Sequence, residues 1–430
     1  MFAYLREGPR AFRATGELFD PAPGTSAYAV MPLRPRPGLH WITVLGQGCG
    51  GPSPPSLLQR VEGRDGYPRF SDIDPIPADN IYNANSASPR RTSDFAPMAG
   101  CAGDIDGDDS ADLFLSLDPF QTFFLTGGQR FVDVSEASRM SVLPSASGAL
   151  MIPWGAALLD LDRDTFADIV VTHGNDPAEW MTRSRNIGPQ TTTAALSARG
   201  MYFVDASRRL GLDRAGQWRA LSVGDPDRDG DPDLIVGGQG EGPRVYRNDI
   251  VASGHALSLR LVGTTSGVAA TGARVTVEAD GLTARAWVGL SGSPDVVPAP
   301  VAFLATGAAP RAERVVIDWP SGTRQVLRDV EAGASLRVVE PEALRVEPAS
   351  RASTATDPLR VVVTPRDDAG AAREGVVSAR VYAGACELGA PSRAGESWVV
   401  EARASASGSC VVEASVDGVA IAARPRLWWR

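Results

Sequence analysis

Three short acidic segments carry the side chains in this sequence that could do chemistry. Each segment has aspartates at relative positions 1, 3, 5 and 9 and then continues into an apolar stretch that is typical of a β-strand. Nothing else in the sequence repeats as closely. The aspartates are Asp104, Asp106, Asp108 and Asp112 in the first segment, Asp160, Asp162, Asp164 and Asp168 in the second, and Asp225, Asp227, Asp229 and Asp233 in the third.

Calcium is the cation that suits this pattern, because it takes six to eight oxygen ligands at roughly 2.3–2.6 Å. Side chains at positions 1, 3 and 5 of a tight loop can converge on one point, and the aspartate at position 9 can close the shell. Position 7 can add a backbone carbonyl, and it is occupied by Ser110, Phe166 and Asp231. The sequence therefore predicts three Ca²⁺ sites that hold the fold together. Magnesium suits them less because it resists dehydration and requires an octahedron.

Two other interpretations of the acidic segments have to be compared with this one. An EF-hand needs flanking helices and a glutamate at position 12, where this sequence has Leu115, Val171 and Val236 inside apolar stretches. That interpretation is rejected. Simple solvated acidic turns remain an alternative, which three matching copies disfavour.

A fourth copy of the pattern is predicted near the N-terminus, without its carboxylates. Pro32, Arg34, Arg36, Gly38 and His40 take the places of the aspartates there, and an unrelated hairpin is the alternative. Arginine cannot bind a divalent cation, so this copy should be metal-free. The copies start 72, 56 and 65 residues apart, and Phe-x-Asp motifs recur after them. Repeated β units of this size predict a propeller or an array.

The chain is expected to be all-β, with three domains at residues 1–252, 253–341 and 342–430. Short alternating strands follow the acidic repeats, and a last unit has the length and strand pattern of a small immunoglobulin-like sandwich. Cys386 and Cys410 are spaced as on neighbouring strands, which predicts a disulfide; Cys49 and Cys101 form a weaker candidate pair.

Net charge and the lengths of apolar runs exclude some classes of function. The formal net charge of −9 over 430 residues argues against a nucleic-acid partner. No apolar run reaches the roughly 20 residues that span a bilayer. The N-terminus lacks a signal-peptide core, so the chain is expected either to be cytosolic or to lack its true start. The predicted disulfide favours an oxidising, extracellular setting.

The acidic loops and their flanking strands resemble the FG-GAP/VCBS calcium-binding repeats of integrin-α-like β-propellers. The resemblance covers about residues 25–250, and Gly103, Leu113, Ile169, Gly224 and Leu234 match its flanking positions. It implies a calcium-binding propeller with about seven blades. Four loop units and a partial one are present here, which suggests a shortened propeller or a missing N-terminal part.

Residues 255–340 resemble the ASPIC/UnbV domain that follows such repeats in cartilage acidic protein-like and bacterial secreted proteins. The matching segments are 259–263, 272–275 and, above all, Asp318-Trp319-Pro320-Ser321-Gly322. The family's Phe-Gly-Leu-Gly phrase is altered at 303–307, and its Asn-rich turn is altered at 264–267. The Trp-Pro-Ser-Gly segment is expected to be a packed turn rather than a ligand site.

The resemblance implies a non-enzymatic, extracellular or cell-surface protein that binds protein or glycan partners in an adhesion role. The alternatives are an enzyme or enzyme accessory subunit with an active site on the propeller face, and a purely structural secreted protein. His40, His173 and His255 have no recognisable nucleophile or carboxylate constellation beside them. No catalytic residue is therefore assigned.

Overall fold

The fold is known from a computed structural model. It describes in full residues 99–116, 134–135, 137–140, 151–175, 188–200, 202–250, 254–290, 299–344, 346–347, 357–367, 370–418, 420–421 and 425–429. For the strands before residue 99, for the strand residues of 117–133, and for residues 345, 351–352 and 419 it describes the backbone alone.

The first part of the chain forms a hairpin followed by four antiparallel sheets. The hairpin pairs β1 (Phe2–Gly8) with β2 (Ala11–Glu17). In each sheet the strands lie side by side in chain order. The sheets contain β3 (Thr25–Leu33), β4 (Trp41–Gly48), β5 (Ser56–Glu62) and β6 (Pro68–Asp72); β7 (Ala96–Gly103), β8 (Asp112–Asp118), β9 (Gln121–Thr126) and β10 (Phe131–Asp133); β11 (Pro153–Leu159), β12 (Asp168–His173), β13 (Thr193–Ser197) and β14 (Phe203–Asp205); and β15 (Trp218–Gly224), β16 (Asp233–Gly238) and β17 (Arg244–Tyr246).

The acidic segments occupy the same place in three of these sheets, as the connection between the first and second strands. The Phe-x-Asp phrases become the last strands, β10 and β14. Residues 34–40, the predicted arginine-bearing copy, lie outside the described residues. They fall between β3 and β4, which is the equivalent position in the first sheet. The sequence repeat is thus a repeat of whole sheets.

The four sheets pack side by side through β4, β7, β11 and β15. Apolar runs such as Ile169-Val170-Val171 in β12 are buried completely, because neighbouring sheets cover both faces. Gly155 in β11 permits this contact, since a Cβ there would lie 2.9 Å from Leu221 Cβ of the next sheet. Within the described residues the series does not return from β15 to the first sheet, so the closed propeller implied by the resemblance is not formed there.

Residues 255–340, the middle unit, form two sheets around one core. The first has the order β21–β18–β24, with β18 and β24 parallel, and the second has the order β20–β19–β22–β23. Alternation of buried and half-buried residues along β19 fits a sheet that faces the core on one side. The strands are β18 (His255–Val262), β19 (Arg274–Ala279), β20 (Leu282–Trp287), β21 (Val301–Gly307), β22 (Arg311–Asp318), β23 (Arg324–Glu331) and β24 (Ser335–Val339).

The C-terminal unit also has two sheets that share one core. One has the order β25–β27–β31–β29 with β30 beside β31, and the other has the order β26–β34–β32–β28 with β33 beside β32. Its immunoglobulin-like character stays a prediction. The strands are β25 (Leu344–Glu347), β26 (Arg351–Ala352), β27 (Leu359–Val363), β28 (Val377–Gly384), β29 (Glu387–Leu388), β30 (Ser392–Ala394), β31 (Ser397–Arg403), β32 (Gly408–Val416), β33 (Val419–Ala420) and β34 (Arg426–Trp429).

The predicted disulfide between Cys386 and Cys410 is confirmed. Cys101 is a buried free thiol in β7, and Cys49 lies outside the described residues. The described part of the chain is all-β and contains no helix that could cross a membrane.

Candidate metal centres

The three acidic loops share one backbone conformation. Positions 4 and 6 have a positive φ in every loop, although only two of the six residues are glycine. The left-handed conformation costs roughly 1 kcal/mol or more for other residues, so a backbone that repeats it is retained for a reason. The residues are Gly107 (85°) and Asp109 (71°), Arg163 (59°) and Thr165 (79°), and Arg228 (65°) and Gly230 (95°).

The first aspartate of each loop fixes this conformation. Its carboxylate accepts a hydrogen bond from the backbone N–H of position 6, at 3.1 Å from Asp109, 2.9 Å from Thr165 and 3.2 Å from Gly230. The carboxylate at position 5 accepts the N–H of position 7 in the same way. These bonds hold the carboxylates of positions 1 and 5 against the backbone of the loop.

The loops bring three carboxylates together at each site, with one oxygen of each within 4.8 Å of the others. Positions 1, 3 and 5 meet in the first and third loops, and positions 1, 3 and 9 meet in the second. Asp112, Asp164 and Asp233 are outside these groups. The groups are Asp104, Asp106 and Asp108; Asp160, Asp162 and Asp168; and Asp225, Asp227 and Asp229.

The aspartate at position 9 is fully buried in each loop and ties the loop to the following strand. Asp112 Oδ2 accepts the N–H of Ile105 at 2.8 Å, and Asp168 Oδ2 accepts that of Leu161 at 2.8 Å. The corresponding residue of the third loop is Pro226, which has no N–H to donate. Asp233 Oδ2 is accordingly buried without a hydrogen-bond partner.

Carboxylate oxygens that are buried without a hydrogen-bond partner indicate whether a cation would fit the loops. Asp162 Oδ1, Asp225 Oδ1 and Asp233 Oδ2 are buried atoms with no hydrogen-bond partner in the protein. A buried charged oxygen without a partner is costly, and a hard cation with oxygen ligands would satisfy it. The second and third loops therefore fit a calcium ion directly. The first loop fits by its donor set of three carboxylates.

Burial raises the pKa of several of these carboxyl groups, because water no longer stabilises their charged form. It raises the pKa of Asp160 to about 7, and the neighbouring Asp164 adds to the shift. It also raises the pKa of Asp168 well above its usual range. In the first loop burial raises the pKa of Asp104, while the Arg285 guanidinium opposes the shift. A divalent cation would favour the ionised form at each site.

Arginines that were not predicted as site residues link the loops to their surroundings. Arg163, at position 4 of the second loop, donates to Asp231 of the third loop. The side chain of Asp231 thus pairs with a residue outside its own loop, whereas the role predicted at position 7 needs only its backbone carbonyl. Arg285 of the middle unit donates to Asp104 of the first loop. A hint in the sequence was the arginine at position 4 of both the second and third loops.

The histidines offer no reactive arrangement in the described residues. His173 is 1% exposed, and its Nδ1 lies 2.9 Å from the carbonyl oxygen of Thr191. Burial lowers the pKa of His173 to about 4, so the ring is neutral at physiological pH. His255 is exposed at the start of β18, and His40 lies outside the described residues.

Glu340, at the end of the middle unit, was not predicted as a site residue, and its carboxylate lies in a cradle of hydrogen-bond donors. Its Oε2 accepts three backbone N–H groups at 2.8–2.9 Å, from Thr264, Thr265 and Ser266. Its Oε1 accepts the hydroxyl groups of Ser266 and Ser321. The cradle joins the turn at 264–267 to the Trp-Pro-Ser-Gly segment, whose Trp319 is fully buried. Both segments are thus occupied by packing and by an internal carboxylate.

Comparisons with known proteins bear on part of the chain. Invasin, a bacterial integrin-binding protein of known crystal structure, is 9% identical with a TM-score of 0.18, and the match covers 64% of this chain and 59% of invasin. An S-layer protein is 11% identical with a TM-score of 0.18, and the match covers 94% of this chain and 54% of the other. The chain spans less than two thirds of either structure, and similarities this weak support no conclusion about its fold or function. No curated protein matches the sequence.

One family model matches the chain. The family is ASPIC and UnbV, and the matched residues are 263–345. The match includes β19 to β24 and the buried Trp319. The resemblance of residues 25–250 to FG-GAP/VCBS repeats stays a prediction. The chain therefore contains an ASPIC/UnbV domain, preceded by sheets that carry the acidic loops.

Proposed function

We propose that this chain is an extracellular or cell-surface binding protein of the adhesion type, stabilised by Ca²⁺ in its three acidic loops and directed at protein or glycan partners. The observation that carries the proposal is the repeated loop backbone, which gathers three carboxylates at each of three places. Such a device stabilises a rigid array of sheets in a medium where calcium is abundant.

The expected ligands are Asp104, Asp106, Asp108 and the carbonyl of Ser110 in the first loop, with their equivalents in the other two. The aspartates at position 9 complete the second site directly and support the first through the backbone. Calcium supplies charge compensation when bound. The residues of the chain supply the geometry, since the carboxylate at position 1 accepts the N–H of position 6 in every loop.

The disulfide between Cys386 and Cys410 supports the extracellular assignment, because such bonds persist in oxidising compartments. The rival proposal is a secreted enzyme or an enzyme accessory subunit. His173 would be its first candidate for a proton-transfer role, and its burial against the Thr191 carbonyl disfavours that role. The binding proposal is therefore preferred.

The proposal is tested by probing a glycan array and purified cell-surface proteins with the full chain, once with millimolar calcium and once with a chelator. Binding that requires calcium is the expected result. The matched control is Asp213→Ala, which removes an exposed aspartate outside the loops, compared with Asp227→Ala inside the third loop. Hydrolysis of a substrate panel without any calcium-dependent binding would favour the enzyme instead.

A further inference from the structure

The first acidic loop differs from the other two because a second domain touches it. Arg285 Nη1 lies 3.1 Å from Asp104 Oδ2, and Arg285 Nε lies 2.9 Å from Asp109 Oδ1. Arg274 Nη1 lies 2.7 Å from the same oxygen of Asp109. Both arginines belong to the ASPIC/UnbV domain. Two guanidinium groups therefore meet the loop at its first and sixth positions.

These contacts are part of a real interface. The N–H of Ala102, at the end of β7, donates to the carbonyl oxygen of Leu290 at 3.0 Å. A small cavity of about 90 Å³ lies between the domains and is lined by the ends of β7 and β11 on one side and by β20 and β21 on the other. Arg285 and Asp104 both line this cavity, so their pair lies at the contact between the two domains.

Arg274 also makes an ion pair within its own domain. Its Nη2 donates to Asp318 Oδ2 at 2.8 Å, and Asp318 in turn accepts from Arg324 Nε at 2.7 Å. The side chain of Arg274 is 14% exposed and that of Arg285 is 20% exposed. Arg274 is thus anchored within its own domain, and both guanidinium groups are largely shielded from solvent.

Within the described residues, the second and third loops have no such partner at position 1. No arginine pairs with Asp160 or Asp225 there. Arg247 Nε lies 4.0 Å from Asp227 Oδ2 in the third loop, where both side chains are exposed and solvent screens the pair. Asp104, in contrast, has a side chain that is 1% exposed, so its interaction with Arg285 is poorly screened.

We infer that Arg285 acts as an internal cation for the first loop, so that calcium binding at this loop and docking of the ASPIC/UnbV domain oppose each other. A calcium ion among Asp104, Asp106 and Asp108 shares the Asp104 carboxylate with the guanidinium, and the two positive charges repel. The first loop is thus the weakest of the three sites. Linkage is reciprocal, so calcium at this loop loosens the domain by the same factor that the domain weakens calcium.

This inference rests on the proposal that the loops bind calcium, and calorimetric titration of the full chain with calcium tests both. We expect two tighter sites and one weaker site. Asp108→Ala, which removes a first-loop ligand and leaves the Asp104–Arg285 pair in place, should abolish the weak site. Arg285→Gln should strengthen that site about tenfold, which corresponds to about 1.4 kcal/mol, and Arg285→Lys, which keeps the charge, should change it much less.

Arg314→Gln is the matched control, because Arg314 pairs with Glu278 inside its own domain. Arg285→Met is used in place of the glutamine variant should that variant fold poorly. Docking is measured separately, by hydrogen exchange of segments 99–103 and 284–290, which share the Ala102–Leu290 bond. Saturating calcium should speed exchange there in the wild type and have little effect in Arg285→Gln.

The outcomes separate the two ideas. A wild type that binds no calcium overturns the calcium proposal and this inference together. If calcium binds, but Arg285→Gln leaves the affinity of the weak first-loop site unchanged or lowers it, this inference alone is overturned. Exchange at the interface that calcium slows in the wild type would also overturn it, because calcium would then stabilise the docked domain.

Discussion

Arg163 Nη1 lies 2.8 Å from Asp231 Oδ1 and joins the second acidic loop to the third. The two side chains are only 19% and 12% exposed. Arg163 Nη2 also donates to the carbonyl oxygen of Ile250, and Asn248 Nδ2 donates to the carbonyl oxygen of Leu161. Neighbouring sheets are thus held together at their loops as well as through their buried strands.

Arg163→Gln should destabilise the protein by about 1–3 kcal/mol, because it leaves the carboxylate of Asp231 partly buried without its partner. Arg228→Gln is the matched control. It occupies the same position in the third loop with the same positive φ, but its side chain is exposed. Unfolding in urea measures both variants, and equal midpoints would show that the link between the loops contributes nothing.

Removal of calcium should lower the melting temperature, because the carboxylates gathered in each loop then repel one another. Millimolar calcium should restore it, with saturation at roughly 10⁻⁴–10⁻³ M, as is typical of extracellular sites. Asp227→Ala should lower the number of bound ions by one, while Asp213→Ala and Arg34→Ala should leave it unchanged. Differential scanning calorimetry and metal analysis provide the measurements. A melting curve unaffected by thorough chelation would contradict the assignment.

Thr165→Gly should stabilise the protein by about 1 kcal/mol. A β-branched residue at a φ of 79° is strained, and glycine, which the third loop has at this position, adopts that conformation without strain. The hydrogen bond from the N–H of this residue to Asp160 is retained. Ala167→Gly, at a position of the same loop without a positive φ, is the control and should destabilise. Thermal unfolding in chelator distinguishes them, and a lower midpoint for Thr165→Gly would contradict the prediction.

His173 should make the protein less stable in mild acid. Its pKa is lowered by burial to about 4 in the folded state from a usual value near 6.5, so the unfolded chain binds the additional proton. Its contribution is complete above about pH 6.5 and is lost as the pH falls towards 4. Between about pH 7 and pH 5 the wild type should lose about 2 kcal/mol more stability than His173→Gln. Parallel pH profiles of the two proteins would refute this.

The sequence predicted the parts of this structure that depend on local pattern. The acidic spacing and the apolar runs after it located the loops and strands, and the separation of Cys386 from Cys410 predicted their bond. The Phe-x-Asp motifs were recognised only as a recurring feature, and the structure shows that they form the last strands of two sheets. Each of these features is contained within a few tens of residues, where chain geometry leaves few possibilities.

Contacts between distant segments could not be predicted in the same way. Arg285 and Asp104 are 181 residues apart, and nothing in a chain rich in arginine distinguishes the one that reaches the loop. The cradle around Glu340 could not be predicted, because the turn that forms it is 74–76 residues away in the sequence. The size of the array could not be predicted either, because the number of sheets that pack together is not contained in any one repeat.

The parallel pairing of β18 with β24 has a mechanical consequence. The chain enters β18 from the acidic repeats and leaves β24 towards the C-terminal unit, so a tension applied through these neighbours pulls the two strands in opposite directions along their length. In that direction the hydrogen bonds of the ladder are loaded together rather than one after another. Glu340 directly follows β24 and accepts five hydrogen bonds. It therefore lies where that load leaves the domain. Tension applied across the ASPIC/UnbV domain would therefore load this parallel ladder in shear.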